Sequence, residues 1–155
     1  MPSSRLKEFL DSQHIKYVAI NHSPAYTAQE IAAQAHVRGK ELAKTVMVKF
    51  DNKMGMAVLP AYSKVNFEHL QEASGAGRVE LASEKEFKDM FPDCEIGAMP
   101  PFGNLYGMEV YASRRLAEDA EIAFNAGSHT ELIRMAYKDF QRLVKPKVAD
   151  IGFET

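Results

Sequence analysis

The run Thr45-Val46-Met47-Val48-Lys49-Phe50, its turn Asp51-Asn52-Lys53 and the return Met54 to Leu59 constrain the fold of this chain most. Two apolar segments of strand length, joined by so short a polar turn, pair back on each other as an antiparallel hairpin. Pro60 ends the return because it cannot donate to a ladder. Other segments follow the same logic. Ile15 to Ile20 alternates Ile15, Tyr17 and Ala19 against Lys16 and Val18, and Asn21-His22-Ser23-Pro24 is turn chemistry. Arg78 to Leu81, Met108 to Ala112, Glu121 to Phe124 and Glu131 to Met135 also read as strands.

Helices fall between them. Ser4 to Ser12 places Leu6, Phe9 and Leu10 on one face. Thr27-Ala28-Gln29-Glu30 is a capping box, opening a helix through Ile31, Ala32 and Ala35 that stops near Gly39. Asn66 caps a helix carrying Phe67 and Leu70, broken by Gly75-Ala76-Gly77. Ser83-Glu84-Lys85-Glu86 is a second capping box, whose helix passes Phe87 and Met90 and is closed by Pro92. Asp139 to Val144 forms a last helical turn before a basic tail, Lys145-Pro146-Lys147. The expected fold class is α/β in the mixed α+β sense: a curved mixed sheet with peripheral helices, in one domain over residues 1–155.

A chain of 155 residues can bury one core without metal or disulfide staples. At 46% hydrophobic and 26% charged it has an ordinary globular composition. It contains no run approaching the roughly 20 apolar residues of a membrane span, and no secretory h-region near Met1. A single cysteine, Cys94, cannot form an internal disulfide, so a reduced cytoplasmic setting is expected. The net charge of −2 argues against DNA or other long nucleic acid, which needs many phosphate contacts, but leaves room for the end of an RNA strand.

The common catalytic patterns are missing. There is no GxGxxG and no Walker loop. His14, His22, His36, His69 and His129 are scattered without metal-ligand spacing, so neither metal nor cofactor is expected. Cys94 lies between Asp93 and Glu95, whose charges oppose a thiolate. Ser128 and His129 are adjacent, so in extended chain their side chains diverge, and no GxSxG elbow is present. Three features remain. The loop Gly97-Ala98-Met99-Pro100-Pro101-Phe102-Gly103 is stiff and apolar; it suits a backbone oxyanion pocket, or equally a rigid connection. Lys44, at the start of the hairpin, could hold a phosphate or simply be solvated. Asn125-Ala126-Gly127-Ser128-His129-Thr130 could carry binding groups or be a plain turn between strands.

The order His22…Tyr26-Thr27, Gly39-Lys40-Glu41-Leu42-Ala43-Lys44-Thr45, Gly97-Ala98-Met99-Pro100-Pro101 and Asn125-Ala126-Gly127-Ser128-His129 resembles the YbaK/ProX family of aminoacyl-tRNA deacylases. That family is related to the editing domain of bacterial prolyl-tRNA synthetases. The resemblance runs over roughly residues 15 to 146. It implies a barrel-like mixed sheet and hydrolysis of the ester on a mischarged tRNA, with the tRNA acceptor end as partner, an aminoacyl-tRNA synthetase as a second candidate partner, and no membrane. On this resemblance Lys44 holds the terminal phosphate, and Gly97 and Pro101 mark the GxxxP loop that cradles the carbonyl and a water. His129, in the GSH-like turn with Gly127 and Ser128, lines the amino-acid pocket. The ribose hydroxyl of the tRNA assists. His22, Tyr26, Thr27, Met47, Leu59, Pro100 and Phe102 are further candidate liners. The bulk of Tyr26 and Met47 points to a small amino acid such as alanine, serine, threonine or cysteine. Two other readings compete: a non-catalytic module that grips tRNA ends or a synthetase, and a hydrolase of another small acyl ester.

Overall fold

A computed structural model describes residues 4–23 and 39–154 of the chain. The helix expected from the Thr27 capping box lies outside the described residues, as do the candidate liners Tyr26 and Thr27, and the chain is described again from Gly39, which opens a 3-10 turn, Gly39–Glu41. The hairpin forms as its sequence dictates. Strand β1 (Tyr17–Asn21) precedes it, and β2 (Ala43–Phe50) pairs antiparallel with β3 (Lys53–Pro60). Asp51 and Asn52 turn the chain with φ of 51° and 71°. Both lie in the left-handed region that a two-residue hairpin turn requires and that Asp and Asn tolerate. The Asp51 carboxylate also accepts from Gly77 N (2.9 Å) and Arg78 N (2.8 Å), which ties β5 (Val79–Leu81) to the edge of β2.

The helices sit close to where their caps place them. Helix α1 is Ser4–Ser12. Helix α2, Phe67–Ser74, starts at Asn66, whose side chain accepts from His69 N, and ends at Gly75 with φ 73°. The Ser83–Glu86 capping box opens α3, Glu84–Phe87, and one 3-10 turn, Lys88–Met90, carries the chain to Pro92. Helix α4 is Tyr137–Val144.

Among the described residues the strands make three sheets. The largest has the order β5-β2-β3-β6-β9, with β6 (Glu109–Ser113) and β9 (Lys147–Ala149) joined in parallel. The second has the order β1-β8-β7, built from β7 (Glu121–Ser128) and β8 (Glu131–Ala136). A parallel bridge between Leu42 and Ala123 links the two. The third pairs β4 (Ser63–Val65) with β10 (Gly152–Glu154). Strands β9 and β10 replace the basic tail expected after Val144. They are too short for a periodic signal, and partners distant in sequence define them.

Alternation along the strands decides what each face covers. Ala43, Met47, Met56, Val58, Val110 and Ala112 of the large sheet face Ile122, Phe124, Ala126, Ile133 and Met135 of the second. Val48, Ala57, Leu59 and Tyr111, on the other face of the large sheet, pack with Leu70 of α2 and with Ile151. Three expected pocket liners pack in the cores instead. Met47 is 3% exposed and Phe102 0%, and both are in the first core. The Phe102 ring lies 6.3, 5.5 and 5.7 Å from those of Phe9, Phe124 and Phe140. Leu59 likewise packs in the second core. No helix among the described residues is long and apolar enough to cross a membrane.

Phe102→Ala should cost about 3–5 kcal/mol of stability, the usual loss for a buried aromatic, read as a lower urea midpoint at unchanged slope. A loss under about 1 kcal/mol would show that the ring is not a core element.

Candidate functional site

The stiff loop and the polar turn are clamped together by four hydrogen bonds. Glu95 N donates to Gly127 O (2.8 Å), and Gly127 N donates to Ala98 O (2.9 Å). His129 N donates to Glu95 Oε1 (2.8 Å). His129 Nε2 lies 2.9 Å from Ile96 O, and a carbonyl can only accept, so this nitrogen carries a proton and donates. That bond commits Nε2 to holding the loop, which removes it as a general base.

The local sequence explains the clamp. A bulge between Asn125 and Ser128 turns β7 out of register with β8 and exposes backbone groups to the loop. Gly97 and Gly127 have φ of 87° and 96°, a conformation that side-chain-bearing residues rarely adopt. At Gly97 space is not the obstacle, since an added Cβ would stand 3.5 Å from His129 Cε1, an ordinary contact. The Ser128 hydroxyl, 1% exposed, braces the turn by accepting from Thr130 N (3.2 Å). The loop's apolar composition also has a reason. Its crest, Glu95 to Gly97, is exposed, while Ala98 to Gly103, including Pro100 and Pro101, is buried. It is thus both a rigid connection and a held crest. At that crest Gly97 N faces the Met99 thioether, at 3.3 Å, and a thioether is a weak acceptor.

A second group of polar atoms lies on the face of the wall turned away from the first core. Ile20, Leu132 and Asn125 form one row across β1, β8 and β7. Across the Leu42–Ala123 bridge, β2 runs parallel to β7, so Lys44 and Asn125 each stand two residues beyond it on that same face. His22 continues the face past Ile20, with its backbone N donating to Thr130 O (2.9 Å). Its Nδ1 lies 2.8 Å from Ser23 O and so donates, which leaves Nε2 with a lone pair in the neutral ring. That Nε2 and Asn125 Oδ1 are both buried without a hydrogen-bond partner among the described residues. Two unsatisfied acceptors in one face are costly to folding and mark a place that a donor would fill. Asn125 stands within the sequence motif Asn125-Ala126-Gly127-Ser128-His129, where its residue type alone assigns it no role. The signal available was a polar residue inside a strand whose neighbours Ala123, Phe124 and Ala126 are all buried.

Lys44 is half-buried, and burial lowers its pKa, with the nearby Lys64 ammonium adding to the effect. It lines a cleft of ≈ 690 Å³ with Val46, Lys64, Val65, Asn66, Phe67, Glu68, Leu81 and Phe153. None of these belongs to the loop or the turn. The structure thus joins Gly97–Pro101 to Gly127–His129 directly, and relates Lys44 to them through the adjacent strand β7.

The aminoacyl-tRNA editing domain family matches residues 22–143. The proline–tRNA ligase of Bacillus cereus strain AH187 is 28% identical over 89 residues, 57% of this chain and 16% of that protein. The enzyme of Bacillus mycoides strain KBAB4 matches to the same extent, 28% over 89 residues. The matched stretch is about a sixth of the length of these relatives. Among solved structures, the hypothetical protein APE2540 superposes with a TM-score of 0.86 at 20% identity, over 97% of this chain and 100% of that one. A proposed trans-editing enzyme for prolyl tRNA synthetase gives a TM-score of 0.82 at 20% identity, over 96% and 95%. At such identities the likeness is one of fold.

Gly97→Ala should destabilise by about 1–2 kcal/mol, because the left-handed conformation is disfavoured for alanine while the space is open. Glu95→Ala removes the carboxylate that holds His129 N and should raise amide exchange at His129 and Thr130, measured by hydrogen exchange. Unchanged protection would show that the clamp does not depend on Glu95.

Proposed function

The chain belongs to the aminoacyl-tRNA editing domain family, and from that premise we propose that it is an aminoacyl-tRNA deacylase. It cleaves, in trans, the ester joining a wrongly attached small amino acid to the 3′ end of a tRNA. The observation that carries this reading is the clamp, which holds a backbone crest at Gly97 beside a face bearing His22 Nε2, Asn125 Oδ1 and Lys44.

Each group has work that suits such a substrate. The Lys44 ammonium holds the phosphate of the terminal nucleotide as a point charge. His22 Nε2 and Asn125 Oδ1 are acceptors, and the substrate's α-ammonium brings donors. Gly97 N–H, now turned to a thioether, meets the oxyanion that forms when water attacks the acyl carbon. Water supplies hydroxide to that carbon, the bond to the ribose oxygen breaks, and the proton passes to the ribose oxygen. The neighbouring ribose hydroxyl relays it. No protein base is required, because an aminoacyl ester is activated already and positioning supplies most of the rate. His129 is a positioning residue in this scheme.

The choice of alanine, serine, threonine or cysteine rests on the bulk of Tyr26, which lies outside the described residues. Met47 no longer supports it, since its side chain is in the core. Volume alone discriminates modestly in any case, at about 1–3 kcal/mol per methylene.

Purified protein should release amino acid from at least one of a panel of mischarged alanyl-, seryl-, threonyl- and cysteinyl-tRNAs. Lys44→Ala should abolish release, and a panel left intact at micromolar enzyme would overturn the proposal. Lys44→Met should lose activity but keep or raise the Tm, because the buried cation is a cost to folding. The lowered pKa has a second consequence. Below its folded pKa Lys44 is charged and binds phosphate, so affinity for uncharged tRNA should fall as pH rises, earlier than for an ordinary lysine near ~10.4. Lys44→Arg should remove that pH dependence, since arginine stays charged.

A further inference from the structure

Beyond Lys44 the outer face of β2 continues into the ≈ 690 Å³ cleft, and the composition of that cleft is unusual for a solvated surface. Phe67 is 37% exposed, Phe153 47% and Leu81 63%. Exposed large apolar groups gathered around one groove mark a binding surface. Two lysines, Lys44 and Lys64, stand in the same groove. Register fixes the pairing: Lys64 lies directly opposite Phe153 across β4 and β10, so ammonium and ring share a face. Asn66 precedes Phe67 and adds an amide, and Glu68 is the one acidic side chain in the lining among the described residues.

Flat apolar rings beside cations are what an unpaired RNA strand needs, with bases stacked on aromatic faces and phosphates on lysines. We propose that this cleft binds the unpaired 3′ end of the tRNA, with bases stacked on Phe67 and Phe153 and their phosphates held by Lys64 and Lys44. The inference rests on the deacylase reading, because it extends the same substrate from Lys44 outward. It assigns Lys64, Phe67 and Phe153 as substrate-binding residues. The two ends of the substrate are then read separately: the amino acid near His22 and Asn125, the nucleotides in the cleft. Charge complementarity selects RNA over a second copy of the chain, since two lysines against the same two lysines would repel.

The test is fluorescence anisotropy with a labelled, uncharged single-stranded RNA ending in CCA, run beside the deacylation panel. Two phosphate contacts predict a slope of log K against log salt of about −1.4, and Lys64→Gln should reduce it by about 0.7. Phe67→Ala and Phe153→Ala should each weaken binding about tenfold, Phe153→Trp should restore it, and Phe153→Leu should not. Both rings are exposed, so these variants should fold, which circular dichroism checks. Wild-type affinity in both alanine variants overturns the inference, as does deacylation by a protein that fails to bind this RNA. In both cases the deacylase reading survives. Ring-dependent RNA binding without turnover on any tRNA supports the cleft and sinks the deacylase. A dimer that dissociates on Phe153→Ala makes the cleft a self-interface and overturns it too.

Discussion

The parallel bridge between Leu42 and Ala123 joins the two main sheets, and the candidate site depends on it. Residues paired in a bridge point to the same side, and side chains alternate from there. One side of the joined wall receives Met47, Phe124 and Ile133 and becomes core. The other side receives Lys44, Asn125 and, through β8 and β1, the row that ends at His22. A shift of one residue in β2 would bury Lys44 among methionines and phenylalanines, and one in β7 would turn Asn125 into the same core. Hydrophobic burial on the inner face therefore fixes the polar groups on the outer one.

The outer face is not optimised for stability. Lys44 is a cation taken partly out of water, with Lys64 near it, and its pKa is lowered for both reasons. Below the folded pKa the ammonium form is present in the folded and unfolded states alike, and there the cost is felt in full. It fades only as pH rises from the folded pKa through the ordinary lysine value. His22 Nε2 and Asn125 Oδ1 add two buried acceptors without partners among the described residues. Such groups cost about 1–3 kcal/mol each when left unsatisfied. The clamp works the other way. It satisfies backbone groups on both the loop and the turn, and so holds Gly97 and Gly127 in conformations that other residues resist.

Much of the fold was legible in the chain. The hairpin from β2 to β3, the Asn66 and Ser83 caps and helix α1 all follow from local chemistry that needs no distant partner. Strands β9 and β10 were not legible, because three residues carry no period and their pairing is with β6 and β4. The loop from Gly97 to Gly103 was read as one unit, whereas it is an exposed crest on a buried base. Phe102 and Met47 show the matching limit: proximity to a motif in sequence says nothing of which face a side chain takes.

By itself the sequence determined the local vocabulary: which segments turn, which alternate and where helices begin. It also carried the resemblance, through motifs whose order survives without their contacts. Only the tertiary structure decided that the loop and the turn are one clamp, that Nε2 of His129 holds it closed, and that Asn125 belongs beside Lys44. Those facts lie in pairings between segments some thirty to eighty residues apart. Local propensity acts over a few residues, and such pairings are fixed by which faces must leave water together.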